Sequence, residues 1–432
     1  MKRSSLICTS LTRRSVLGSI VASSVSALGA KAAPPLRFAT AADGRRALRS
    51  NAWLEIDATA FVHNVSEYRK LVGDRLPTCA VVKGDAYGNG LALLMPAIRQ
   101  AGLTFLGIAS NEEARIAKAG GFRGRIMRLR ASTLDEAEDG LQFGVEELVG
   151  SLEVARAFDR MATRHRTKMR VHVALNSAGM SREGIELDER GRDDARLIAQ
   201  LGSLRIVGLM THFPVNQIAD MNAGLRRFQA DTNLLAVVPA YADSAIQRHC
   251  ANSFATLNLP ASRLDLVRPG RCLFGYGGDD FPQFRHLATL KSRIASINRY
   301  PKGATVAYDR TFRLERPSML ANVPIGASDG FRTIFSHANQ GVATSGRLAT
   351  MIIRGKTVPV VGRVTMNTVM VDVTDIYEQI SLNDEIIVFG PNAPPGNRQA
   401  DLLAMAAANP PDLMTMFGNS LPKVLRPLGD TR

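Results

Sequence analysis

The chain has 432 residues, enough for about two domains with sizeable cores, and its 45% apolar and 22% charged content is that of a globular protein rather than a disordered or fibrous one. Its formal net charge is +15, but five basic residues (Lys2, Arg3, Arg13, Arg14, Lys31) precede Ala33, where no acid occurs, so the remainder carries about +10. That excess is scattered among acids such as Glu112, Glu113, Asp135, Glu136 and Glu138, which argues for a solvated basic surface and against a nucleic-acid partner.

The first segment reads as a targeting signal. Arg13-Arg14 stands ahead of a mildly apolar run to about Leu28, closed by Ala30-Lys31-Ala32. A charged start, a short apolar region and small residues at a cleavage point make 1–32 a signal peptide, and the paired arginines fit twin-arginine export to the periplasm. The weak apolar run argues against an anchor. No later stretch reaches the ~18 consecutive apolar residues of a membrane span. Cys8 leaves with the signal, so Cys79, Cys250 and Cys272 remain, an odd number without metal-ligand spacing. Buried free thiols are the expectation, and no metal site is expected.

From about Trp53, strand-like and helical segments alternate. The expected strands are 78–82, 105–108, 126–129, 147–149, 171–175, 206–210, 247–250 and 264–267, with helices such as 111–119 and 193–201 between them. Eight strands separated by helices predict an α/β fold, a (β/α)8 TIM-like barrel over residues 50–288. A doubly wound sheet is the rival, but it leaves more of the chemistry-bearing motifs off the functional edge. After about Leu290 the pattern changes to short β runs at 351–353, 357–361, 368–373 and 385–389, with period-two alternation in Val369–Val373. A mainly-β domain over 289–432 is predicted.

Barrel enzymes place functional groups where the strands end. The first strand ends at Lys83, followed by the glycine-rich turn Gly84-Asp85-Ala86-Tyr87-Gly88-Asn89-Gly90. A partly desolvated lysine on a rigid strand end is placed to be a neutral amine nucleophile. The later strand ends add Asn176–Arg182, Thr211-His212-Phe213, His249–Ser253 and Val267–Arg271.

The run Ala80–Gly90 resembles the pyridoxal-phosphate lysine motif of the alanine racemase family, closest to its periplasmic broad-specificity branch. The resemblance runs from about Trp53 to Leu428. It implies that pyridoxal 5'-phosphate is the cofactor and that Lys83 holds it covalently. Arg182 would approach the phenolic oxygen, His212 would support Arg268, and Arg268 would face the pyridine nitrogen. A permanently charged arginine there disfavours a protonated ring, which favours prompt reprotonation at Cα over transamination. Tyr87, Asn252, Ser253, Gly270 and the backbone of Arg271 match the phosphate cradle, and Asn419 falls where a phosphate-binding tyrosine is common. In the second domain, Val360–Thr368 resembles the segment whose methionine, here Met366, meets the substrate carboxylate through its backbone; Arg182 would border the substrate too. Relatives pair the cysteine at Cys79 with one near the next strand, where this chain has Phe105.

One departure bears on activity. The family reads Gly-Tyr-(small)-Asp-Gly where this chain reads Gly326-Ala327-Ser328-Asp329-Gly330. That tyrosine, contributed across a homodimer interface, is the second proton-transfer group of the racemase, and alanine carries no proton to transfer. The resemblance therefore implies an amino-acid racemase with an altered second catalytic position at Ala327. The enlarged pocket also admits retro-aldol cleavage of β-hydroxy amino acids. A non-catalytic pyridoxal-phosphate binder is the alternative of a different class, disfavoured by the β domain.

Overall fold

The computed structural model describes residues 49–276, 280–340 and 349–426. The expected signal at 1–32 lies outside these residues. β1 (Ala52–Ile56), a strand not singled out from sequence, turns away from the barrel and joins the second sheet. The chain then builds seven parallel strands, hydrogen-bonded in chain order: β2 (Ala80–Val81), β3 (Phe105–Ile108), β4 (Arg125–Arg128), β5 (Val145–Val149), β6 (Met169–Ala174), β7 (Leu204–Met210) and β8 (Gln247–His249). Helices alternate with them, as a parallel sheet requires, because each return crossover must cover the sheet's outer face.

The expected eighth strand is not a regular ladder, yet it closes the sheet. Val267 N donates to Pro77 O (3.1 Å), Cys79 N to Val267 O (2.8 Å) and Val81 N to Pro269 O (2.8 Å) on one side. On the other, Asp265 N donates to Arg248 O (3.2 Å) and Arg268 N to Ala251 O (2.9 Å). Leu264 at φ 45° and Pro269, which has no N–H, keep the segment from extending as a strand. Cys79, Phe105, Met127 and Leu266 form one buried apolar cluster across this closure, so Phe105 packs beside Cys79. Cys79, Cys250 and Cys272 are all buried free thiols.

Local sequence explains where the helices begin. Asp57 caps Ala58–Val72 by accepting from Thr59 N and Ala60 N. Ser110 with Glu113, and Thr133 with Glu136, form capping boxes ahead of Asn111–Ala119 and Leu134–Gly140. On the helix-covered face of the sheet, Arg128 and Glu147 are both 0% exposed and joined at 2.9 Å; Asn111 and Ser132 satisfy further groups of the pair.

The second domain is a nine-stranded sheet. In chain order its further strands are β9 (Ala288–Arg293), β10 (Ser296–Tyr300), β13 (Ser318–Val323), β14 (Thr350–Ile353), β15 (Lys356–Val361), β16 (Val369–Asp372), β17 (Glu385–Phe389) and β18 (Lys423–Leu425), while β11 (Thr305–Val306) and β12 (Phe312–Arg313) form a separate hairpin. β1 sits between β9 and β18, so the two ends of the described chain meet in this sheet. The fully buried Trp53 packs against Val424, and Lys291 bridges Glu55 (3.0 Å) and Glu385 (2.9 Å). The helix Pro410–Ser420 carries this domain onto the barrel turn after β2: a Cβ on Gly88 would lie 2.1 Å from Met414 O.

Candidate active site

Beyond β2 the backbone makes one left-handed turn. Gly84, Asp85, Ala86 and Tyr87 have φ of 65°, 53°, 57° and 54°. Each non-glycine residue there costs about 1–2 kcal/mol, so the surroundings must hold the turn. The Glu113 carboxylate accepts from Asp85 N (3.0 Å) as well as from Ala109 N (2.7 Å). Asp85 accepts from Leu91 N (2.7 Å) and pairs with Lys423 (3.0 Å) from the second domain. Asn89 Nδ2 donates to Ala86 O (2.8 Å) and Tyr87 O (3.2 Å). The strained turn is thus tied to the next helix, to itself and to the β domain.

This turn brings Lys83 and Tyr87 to one cavity of about 330 Å³ at the C-terminal end of the strands. The same cavity is lined by Arg182, His212, Asn252, Ser253, Arg268, Gly270 and Arg271, nine sequence-assigned residues in all. Ala327, Met366 and Asn419 do not line it. Ala327 and Met366 are exposed on the β domain, where Ala327 N donates to Thr365 O (3.0 Å) and Ser328 Oγ to Met366 O (2.9 Å). Asn419 is exposed near the end of the helix packed on the Gly88 turn.

One corner of the cavity suits a phosphate. A Cβ on Gly270 would sit 2.4 Å from Tyr87 Oη, so only glycine lets the two approach. Ser253 Oγ accepts from Gly270 N (2.9 Å), and Asn252 caps the short helix Ser253–Asn258 by accepting from Ala255 N (2.9 Å). Among the described residues, Arg271 Nε is buried without a hydrogen-bond acceptor. Backbone amides, hydroxyls and this orphaned donor are what a phosphate dianion requires. The Tyr87 residue is 8% exposed and its ring packs at a tilt 5.0 Å from that of Phe274, which braces it; burial raises its phenol pKa.

The other lining groups set the charge. Among the described residues, Lys83, Arg182, Arg268 and Arg271 line the cavity against one lining acid, Asp280. Arg182 is held by the neighbouring Glu183. Lys83 opens into the cavity at its tip, while the protein packed around it and then the Arg182 charge lower its pKa, favouring the neutral amine. Burial first, then the charges of Arg268, Arg182 and Lys83, push His212 down to about 3, so its ring is neutral. The cavity therefore fits pyridoxal phosphate, with phosphate donors at one end and cations along the rest.

Arg268 is 4% exposed and its contacts were only partly legible in sequence. His212 Nδ1 lies 3.3 Å from its Nη2. The closer histidine is His249, whose Nδ1 is 2.5 Å from Arg268 Nη1. Thr211 O accepts from Nη2 at 2.9 Å. His249 stands in the strand-end run before Asn252-Ser253, but nothing in that run distinguishes a ring facing the arginine from one in the core.

The model of "Alanine racemase, N-terminal domain" matches residues 56–277 and that of "Alanine racemase, C-terminal domain" residues 287–425. A broad specificity amino-acid racemase of Aeromonas hydrophila is 44% identical over 400 residues, 92% of this chain and 95% of its own. One from Pseudomonas putida is 42% identical over 395 residues, 91% and 94% of the two chains, and a lysine racemase of Proteus mirabilis is 39% identical over 80% and 82%. The alanine racemase of Streptomyces coelicolor has a TM-score of 0.75 at 27% identity, covering 87% of this chain and 97% of that one. That of Bartonella henselae, solved with covalently bound pyridoxal phosphate, has the same fold, with a TM-score of 0.73 at 24% identity over 87% of this chain and 100% of that one.

Proposed function

This chain belongs to the alanine racemase family, and from that premise we propose that it is a pyridoxal-phosphate-dependent amino-acid racemase of broad side-chain specificity. The observation that carries the reading is the convergence of nine assigned residues on one cationic cavity around Lys83. When bound, the cofactor supplies an electron sink that acidifies the α-proton of an attached amino acid. Tyr87, Asn252, Ser253, Gly270 and Arg271 would hold its phosphate, Arg182 would face its phenolic oxygen and Arg268 its ring nitrogen. Lys83 Nζ, biased toward the neutral amine, takes or returns the α-proton on one face. The cations along the cavity also orient a substrate carboxylate.

The second face is where this chain differs. The family tyrosine position is Ala327, so racemisation is slower on that face by about 10²–10⁴-fold unless water carries the proton. Ala327 and Met366 reach a cavity only when a second copy docks its β domain there, so the proposal includes a homodimer. Export through the signal at 1–32 is part of it too. A second reading uses the same vacancy: the β-hydroxyl proton of a substrate is lost near His212, which lines the cavity, and its Cα–Cβ bond then breaks.

Chiral analysis of L-amino acids incubated with the purified protein decides between these. Appearance of the D-enantiomers supports racemisation, and its increase in Ala327→Tyr supports the vacancy. Glycine plus an aldehyde supports the cleavage reading. Neither product, with the cofactor retained, leaves a binder and overturns both. Retention of unprocessed protein in the cytoplasm after replacing Arg13 and Arg14 with lysine supports export by the twin-arginine route; normal processing excludes it.

A further inference from the structure

The hydrogen bonds that hold Arg268 do not stop at His249. His249 Nε2 lies 2.9 Å from His172 Nδ1, and His172 Nε2 lies 2.9 Å from Glu146 Oε2. Glu146 is gripped in turn by Arg125 (Nε 2.8 Å, Nη2 2.8 Å) and by Arg170 Nε (2.7 Å). His249 ends β8 beside Arg268, whereas Glu146 and Arg125 sit near the starts of β5 and β4. The chain therefore runs through the barrel interior from its C-terminal end to its N-terminal end. His172 and His249 are 0% exposed and Glu146 is 1% exposed, so no water competes for these contacts.

The donor inventory gives this chain a direction. An arginine only donates, so Arg268 Nη1–H must meet a lone pair on His249 Nδ1. A neutral His249 then carries its proton on Nε2 and donates to His172 Nδ1. His172 likewise carries its proton on Nε2 and donates to the Glu146 carboxylate. Both ends agree, and no proton is missing or duplicated. Burial lowers both histidines' pKa values, and the Arg268 charge lowers His249 further. Burial acting alone would raise Glu146, but His172 and Arg125 outweigh it and bring it to about 2. The backbone also makes room for the chain: the β6–β7 register shifts between Val171 and His172, and a Cβ on Gly208 would lie 2.2 Å from His172 Nδ1.

We infer that His249, His172 and Glu146 are positioning residues that set the direction of the Arg268 guanidinium through one directional hydrogen-bond chain spanning the barrel. None of the three reaches the cavity, so they act through Arg268. The effect on catalysis rests on the racemase reading above; the chain itself does not. Loss of the chain lets Arg268 turn, and misplacement of an active-site group by ~1 Å costs up to about 100-fold in rate.

The test uses the full-length holoprotein labelled with ¹⁵N-histidine, and multiple-bond ¹H–¹⁵N spectra at pH 7.5. His172→Gln and His249→Gln assign the signals. Both rings are expected as neutral Nε2–H tautomers; an Nδ1–H tautomer or a doubly protonated ring at either position would overturn the inference. Gly208→Ala then perturbs His172 without touching the cavity. The expected result is displaced His249 signals together with a fall in kcat of about 10- to 100-fold at a KM within about 3-fold of wild type. Unmoved His249 signals, with or without a fall in kcat, or moved signals with an unchanged kcat, would overturn the positioning role. If Gly208→Ala fails to fold, the wild-type tautomers still decide whether the chain exists. A wild-type protein with the expected tautomers and no racemisation would refute the racemase reading and the catalytic effect, but not the chain.

Discussion

Lowering the pH from 7.5 to 5.0 should destabilise this protein through histidines buried in neutral form. His249 is fully buried with its pKa held well below the ordinary histidine value, by burial first and then by the Arg268 charge. His212 is pushed down to about 3. In the unfolded chain both titrate near ~6.5. Below that pH the unfolded state binds protons that the folded state refuses, so the stabilisation is complete above ~6.5 and is lost as pH falls. Integrated from pH 7.5 to 5.0, one such histidine costs about 2 kcal/mol. His249 should supply that in full and His212 less, because its ring faces cavity water. His172, His286 and His337 are shifted in the same direction and add to the slope. A loss of about 3 kcal/mol or more is large against the 5–15 kcal/mol of a typical domain. Urea unfolding at constant ionic strength measures it, and His249→Gln should be less pH-sensitive than wild type by about 2 kcal/mol. Equal stability at the two pH values, or an unchanged pH dependence in His249→Gln, would refute the reasoning.

Further consequences follow from individual contacts. Reduction with borohydride and peptide mapping should place the pyridoxyl group on Lys83, and Lys83→Ala should carry no label; a label elsewhere refutes the assignment. Gly270→Ala drives a Cβ to 2.4 Å from Tyr87 Oη and should weaken cofactor binding by about 10-fold or more in a fluorescence titration, through the phosphate corner. Gly88→Ala meets Met414 O at 2.1 Å with φ +81° and should lower stability by about 2 kcal/mol or more, seen as a fall in Tm. Arg128→Met should cost about 3–5 kcal/mol by stranding the buried Glu147 carboxylate, and adding Glu147→Leu should recover much of it; an additive double variant would show that the two do not act as a pair.

Much of the architecture was written locally. Alternation of short apolar runs with helix-period segments specified the barrel, because a parallel strand needs a crossover. The strand-end positions of Lys83, His212, Asn252, Ser253 and Arg268 were legible for the same reason: a barrel puts every strand end on one face. What sequence order could not disclose were contacts between distant segments. β1 falls within the span assigned to the barrel, yet it lies between β9 and β18, because its partners are supplied more than two hundred residues later. The eighth strand looked regular but closes the barrel through scattered bonds around Leu264 and Pro269. The left-handed turn after Lys83 needs Glu113 and Lys423 to hold it, neither of which the motif contains. His172 and Glu146 look like ordinary strand positions, since alternation separates inside from outside but does not say what an inward polar group will meet. Local sequence determined which elements form and where their ends point; only the packed barrel decided which buried polar groups face one another, because those partners are chosen in space and not along the chain.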